Sequence, residues 1–126
     1  MDNHARSAAA KALILPEIVI APGEIDVTNA QSVDDELHAA LGLGVAVVVA
    51  DMTRTTFLDS CGVRSLLLAD KHAAQAHAEL RLIIKSAPVL HVLQITGADR
   101  LLTIYPHLLA ALADPLTKAQ EAPGDG

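Results

Sequence analysis

Residues 45–70 read VAVVVADMTRTTFLDSCGVRSLLLAD, and the architecture of the chain follows from this stretch. Val45 to Ala50 is apolar without alternation, so both faces of a strand built from it are buried, the mark of a central strand in a sheet covered by helices. The run ends at the acid Asp51, and a polar segment follows. Asp59-Ser60-Cys61-Gly62 then opens a segment of helical period. A strand, a turn and a helix in that order form the repeating unit of an α/β fold, in which functional groups gather where strands end and helices begin.

On either side the same unit recurs. Glu17 to Ala21 is β-branched and apolar and reads as a strand. Pro16 has no amide donor, which places that strand at a sheet edge or at its own start. Glu24 to Val27 reads as a short strand continuation or a turn. Thr28 and Gln31 have the spacing of a capping box, so a helix is expected from Thr28. Val33, Leu37 and Leu41 form its apolar stripe, with Asp34, Asp35 and Glu36 toward its start, and Gly42 and Gly44 end it. After the central strand, the periodicity predicts a helix from about Ser60 to Ala78 carrying Val63, Leu66, Leu67, Ala74 and Ala78. Leu80 to Lys85 is the next strand. Ser86 is a natural N-cap, with Pro88 tolerated in the first turn of a helix through Val89, Leu90, Val92 and Leu93 that stops at Gly97. Leu101 to Tyr105 is a last strand, and Pro106 opens a helix through Leu108, Leu109 and Leu112 that ends near Asp114-Pro115.

The expected architecture is α/β, a mixed and mostly parallel sheet of four or five strands packed by about four helices, with right-handed crossovers. With 126 residues the chain is one domain. Residues 13–115 are expected to form it, between flexible end segments at 1–12 and 116–126. The core is aliphatic, since the chain has one Phe, one Tyr and no Trp.

The bulk numbers exclude several classes of function. A formal net charge of -6 and nine scattered basic residues argue against nucleic acid, which needs clustered Lys and Arg. The one cysteine, Cys61, excludes an internal disulfide and fits a reducing compartment. The amino-terminal stretch has no signal-peptide core, and no apolar run has the length of a membrane span, so a cytoplasmic protein is expected. Six histidines make no recognisable metal pattern. His72 and His77, five apart, diverge around a helix, and neither lies in His-Glu-x-x-His.

Ser60 is open to two readings, a helix N-cap and a group that a partner modifies. Helix amides and the positive dipole end favour an anion there, and Gly62 lets the backbone come close. Cys61 is open to two as well, a small buried residue and a thiol activated by the helix end. Ser60 lies in no Gly-x-Ser-x-Gly elbow.

Three stretches, in order, resemble a known family. Gly23-Glu24-Ile25-Asp26, followed by Thr28 and a helix, is similar to the Gly-Glu-Leu/Ile-Asp element of STAS domains. Phe57-Leu58-Asp59-Ser60-Cys61-Gly62-Val63 resembles the Asp-Ser-x-Gly phosphorylation motif of bacterial anti-sigma factor antagonists. Val92 to Leu102, VLQITGADRLL, resembles the link from their third helix to their last strand. Together they span about residues 15 to 113. One departure is the amino-terminal part, where the family commonly has two strands before the Gly-Glu element and this chain has room for barely more than one.

The resemblance implies a function without catalysis. The protein would sequester an anti-sigma factor that is also a serine kinase, and so free a sigma factor. Phosphorylation of Ser60 would dissociate the complex, and a serine phosphatase would restore it. Asp26, Thr28, Asp59, Ser60, Cys61, Gly62 and Arg64 would form the docking surface. No cofactor, metal, membrane or direct nucleic-acid contact is implied, and the protein would be a monomer or weak dimer. Thr53, Thr55 and Thr56 are further hydroxyls that a kinase could use. The resemblance also admits a STAS module of a stress-signalling scaffold or of a lipid-transport ATPase complex. A reading from another class is a small enzyme using Cys61 or Ser60.

Overall fold

A computed structural model describes residues 15–116, so the expected end segments lie outside the described residues, save residue 116. Six strands, β1 (Glu17–Ile20), β2 (Glu24–Ile25), β3 (Val47–Met52), β4 (Phe57–Leu58), β5 (Glu79–Ile84) and β6 (Thr103–Tyr105), are interspersed with four helices, α1 (Ala30–Leu41), α2 (Ser60–Gln75), α3 (Ala87–Thr96) and α4 (Leu108–Ala113). A short 3-10 turn at Ala98–Arg100 precedes β6.

The main sheet has the order β1-β3-β5-β6, and every described pairing in it is parallel. Among the described residues β1 lies at its edge, and Pro16 stands just before its start, so both alternatives read from that proline hold. Each step of the strand order moves in the same direction. Right-handed crossovers therefore put α1, α2 and α3 on one face. Their apolar sides bury Val48, Ala50, Met52, Leu80, Leu82 and Ile84 in one core cluster. Along each strand side chains alternate, so Val47, Val49 and Ile83 point the other way and meet Ala111 of α4. Both central strands are thus buried along their length, β3 as its unbroken apolar run predicts and β5 although it carries Glu79 and Arg81.

Local chemistry sets most boundaries. The Ser86 hydroxyl accepts the Val89 amide at 3.3 Å, Pro88 lies in the first turn of α3, and Gly97 ends that helix in the left-handed region at φ 80°. Gly44, at φ 78°, turns the chain toward β3. That strand starts at Val47 rather than Val45, because residues 45 and 46 are used in leaving the turn. β5, by contrast, begins one residue early, where the Glu79 amide donates to the Ala46 carbonyl.

Other expectations give way to tertiary packing. α1 starts at Ala30, not Thr28, and no capping box forms. The Thr28 amide and hydroxyl both donate to Asp26 Oδ1, and Gln31 turns instead to Asp35. α2 ends at Gln75. His77 takes up φ 58°, while the Ala78 amide reaches the Ala73 carbonyl and the His77 amide that of Ala74. This is a Schellman stop with histidine where glycine is usual. Ala78 is buried, but in the connection to β5. Ala73 rather than Ala74 faces the core. Leu101 and Leu102 close the 3-10 turn on the Ala98 carbonyl, so β6 begins only at Thr103. α4 begins at Leu108, after the His107 ring nitrogen accepts the Ala110 amide.

Candidate functional site

Two very short strands build the site. β2 and β4 pair in parallel, Glu24 with Phe57 and Ile25 with Leu58, as a small sheet apart from the main one. Phe57–Leu58 is a strand that the polar segment after Asp51 did not announce. Thr55 fixes the approach. Its side chain is wholly buried, and its hydroxyl donates to the Pro22 carbonyl at 2.7 Å. Beside it the Thr56 amide donates to the Gly23 carbonyl at 2.8 Å. The Gly-Glu-Ile-Asp element and the start of α2 are thereby brought together.

Asp59 is the centre of this junction. Its amide donates to the Ile25 carbonyl at 3.1 Å. One carboxylate oxygen accepts the Gly62 amide at 3.0 Å, which makes Asp59 the N-cap of α2. The other accepts the Val27 amide at 3.2 Å, 32 residues away in sequence. The cap role read for Ser60 therefore belongs to Asp59. Gly62 is pressed against β2, since a Cβ there would overlap the Leu58 side chain and lie 3.1 Å from the Ile25 carbonyl oxygen. The close approach expected of this glycine is present.

The loop after β2 is braced from within. The Asp26 amide donates to Asn29 Oδ1 at 2.9 Å, and Asn29 Nδ2 donates to the Glu24 carbonyl at 2.8 Å. The Thr28 hydroxyl and then the Thr28 amide, both donating to Asp26, hold its carboxyl below the usual carboxylate range. Val27 rides at the tip of this turn with 72% of its surface exposed. Phe57, 49% exposed, stands on the paired strand.

Ser60 is the first helical residue of α2 and is exposed. Its hydroxyl has no hydrogen-bond partner among the described residues. The other candidate hydroxyls differ. Thr55 is buried and engaged, so it is removed as a kinase target. Thr53 is exposed but donates to Asp51 Oδ1 at 2.6 Å, and Thr56 is exposed with a long contact of 3.5 Å to the Gly23 carbonyl.

Cys61 is half-buried and Arg64 exposed one turn on. Both line a shallow cleft of about 280 Å³ between α1 and α2, with Gln31 and Asp34 across it. The structure thus gathers Asp26, Thr28, Asp59, Ser60 and Gly62 at one junction and sets Cys61 and Arg64 beside it. Val27 and Asn29 belong to the loop of this junction and Phe57 stands exposed on the strand leading into it; none of the three was singled out from sequence. The Asp-x-Thr-Asn turn was the available signal for Asn29. Among the described residues no three His, Cys, Asp or Glu side chains converge as metal ligands, and no helix is long and apolar enough to cross a membrane.

Comparison with known proteins meets this geometry. Residues 11–111 match the family model of the STAS domain. The chain is 33% identical over 84 residues to BtrV of Bordetella bronchiseptica, named as an anti-sigma factor antagonist, covering 67% of this chain and 70% of that protein. Among solved structures, an anti-sigma factor antagonist from Mycobacterium paratuberculosis superposes with a TM-score of 0.70 at 22% identity, covering 79% of this chain and 86% of that one. A sulfate transporter family protein from Wolinella succinogenes gives 0.59 at 20% identity, covering 78% and 82%. At such identities these likenesses show the fold alone.

Proposed function

The chain belongs to the STAS domain family, and on that basis we propose that it is an anti-sigma factor antagonist switched by phosphorylation of Ser60. The observation that carries the reading is the exposed Ser60 hydroxyl, without a hydrogen-bond partner among the described residues, beside the Asp59 junction. The fold is common to antagonists and to a transporter-family protein, so it does not choose between them. The 33% identity to BtrV favours the antagonist.

In this reading the domain binds and does no chemistry of its own. Its partner is an anti-sigma factor with serine kinase activity, and occupying that partner frees a sigma factor. Val27 and Phe57 offer apolar surface, and Ser60 lies beside them as a small neutral hydroxyl. The kinase carries out the transfer: Ser60 Oγ bonds to the γ-phosphorus of ATP, the bond to ADP breaks, and the hydroxyl proton passes to a base on the kinase. A serine phosphatase reverses the modification by hydrolysis.

The product is suited to its place and hostile to the complex. Helix amides stabilise an exposed anion there by about 0.3–1 kcal/mol, so the domain stays folded. The phosphate brings about -1.5 to -2 charges to a surface that already holds Asp59 and Asp26. A partner surface shaped for a hydroxyl would have to bury that charge, and a tenfold loss of affinity takes only about 1.4 kcal/mol.

The test is binding of purified variants to an anti-sigma factor of the serine-kinase class from the same organism. Ser60→Ala should bind like wild type and resist dissociation by ATP, while Ser60→Glu should bind at least about tenfold more weakly. Equal binding by both variants would overturn the switch.

A further inference from the structure

We propose that Asp59 is a latch joining the phosphoacceptor to the exposed loop of Val27, and that phosphate on Ser60 opens it. The inference rests on the reading of Ser60 as phosphoacceptor and adds a mechanism to it: the modification changes the shape of the docking loop as well as its charge.

The geometry is that of one carboxylate shared by two elements. Asp59 Oδ1 holds the Gly62 amide in the first turn of α2, and Oδ2 holds the Val27 amide across the junction. The bonds among Asp26, Thr28, Asn29 and Glu24 fix the turn internally without tying it to α2. The base of the loop is tied to α2 through the Asp59 amide and the Ile25 carbonyl, and the start of α1 through the Ser65 hydroxyl and the Ala30 carbonyl. Among the described residues the tip is tied to α2 by the Asp59 carboxylate alone. The tip also carries the most exposed apolar residue of the junction, Val27.

Ser60 follows Asp59 directly and shares its helix end. A phosphate on Ser60 acts on the Asp59 carboxylate in two ways. It repels that carboxylate with about two negative charges, and it competes for the same first-turn amides with three strong acceptor oxygens. Helix α2 loses nothing in the exchange, because phosphate replaces carboxylate at its positive end. Val27 loses its acceptor, because among the described residues no other carboxylate holds its amide. The cost of the switch therefore falls on the loop and not on the helix.

Asp59→Asn separates the two duties. Asparagine is an equally good N-cap but has one acceptor oxygen for the two amides; the part-buried Gly62 amide at 3.0 Å claims it over the exposed Val27 amide at 3.2 Å, which then faces an NH₂ donor. The loop is released while the helix remains capped.

The experiment follows amide hydrogen exchange by NMR in the full chain, in three forms: wild type, Asp59→Asn, and wild type with phosphoserine installed at position 60 during translation. Exchange of the Val27 amide should quicken by about tenfold in both altered forms, the size expected for loss of one charge-assisted hydrogen bond. Amides from Leu66 to Ala73 should keep their rates, which shows that α2 is intact. Asp59→Asn, with Ser60 unmodified, should also bind the anti-sigma factor at least about fivefold more weakly, as loss of such a bond from the docking surface requires. An unchanged Val27 rate in the phosphorylated form would overturn the latch and leave occlusion by charge as the whole switch. An unchanged rate in Asp59→Asn would overturn the bond itself. The exchange measurements use this chain alone, so they decide the latch even if no anti-sigma factor binds wild type, a result that would sink the proposed function separately.

Discussion

The guanidinium of Arg81 donates to the carbonyl oxygen of Ala111 at 2.6 Å, 30 residues away in sequence. The same group reaches the carbonyls of Asp114 at 2.8 Å and Pro115 at 3.0 Å and pairs with Glu79 at 3.0 Å, all beneath the sheet face that α4 covers. These carbonyls are acceptors at and just beyond a helix end, and a buried cation on the central strand β5 supplies them with donors. Arg81 is fully buried, so its charge depends on these partners.

Arg81→Met should therefore destabilise the domain by about 3–5 kcal/mol, since it takes the cation from beside the Glu79 carboxylate and the donors from the α4 carbonyls. Urea unfolding followed by circular dichroism measures this. Replacing Glu79 by Leu in the same chain should recover part of the loss, because the buried carboxylate goes with its cation. A double variant as unstable as the single one would show that the carbonyl contacts carry the effect.

Tyr105 belongs to the same cluster and is the one tyrosine of the chain, so its titration is read without overlap. Burial, and then the 2.6 Å hydrogen bond to Asp114, push its phenol up to about 12 from the ordinary 10.0, against the opposing pull of Arg81. A raised value means that the folded state holds this proton more tightly than the unfolded one. The contribution to stability is complete below the ordinary value of 10.0 and is lost as the pH rises through about 12. Ultraviolet absorbance of the phenolate should show the high midpoint. Asp114→Asn should lower it while leaving it above 10.0, because burial remains.

Gly62→Ala probes the packing of α2 on β2. The added methyl overlaps the Leu58 side chain and crowds the Ile25 carbonyl, so a cost of about 1–3 kcal/mol is expected. The displacement also separates Asp59 from the Val27 loop, so affinity for the anti-sigma factor should fall with Ser60 still unmodified. Thermal melts and binding together check this. A variant of lowered melting temperature and unaltered affinity would confine Gly62 to packing.

Thr28→Val removes the hydroxyl that does most to keep the Asp26 carboxyl low. The depressed value in the folded state contributes stability above the ordinary carboxylate value of 3.8, and that contribution is lost as the pH falls through the lower folded value. In an NMR titration the variant's Asp26 should move up toward 3.8. The backbone amide at position 28 is unchanged by the substitution and keeps part of the depression.

Much of the fold was legible because it rests on short-range physics. The apolar run at Val45–Ala50 has one reading, a strand covered on both faces, and β3 is that strand. Ser86 with Pro88 and Gly97 marked both ends of α3 through capping geometry that spans only a few residues. Thr28 shows the limit of such reasoning. Its spacing to Gln31 fits a capping box, but Asp26 lies two residues away and a carboxylate is the stronger acceptor. In the site, the resemblance of Gly23–Asp26 and Asp59–Gly62 to family motifs implied a shared surface, whereas Val27 and Phe57 carry no local mark of exposure.

Reading residues in order was enough for the alternation of strand and helix, the burial of β3 on both faces, the stops at Gly44 and Gly97, and the family to which the Asp-Ser-x-Gly stretch belongs. It took the packed chain to pair Phe57-Leu58 with Glu24-Ile25, and to carry the Asp59 carboxylate, which caps α2 locally through Gly62, across to Val27. Packing also turned Arg81 inward. The physical reason is common to all three. Periodicity and capping act over one or two turns of chain, but a hydrogen bond between Asp59 and Val27, or a cation under α4, exists only once distant segments lie side by side.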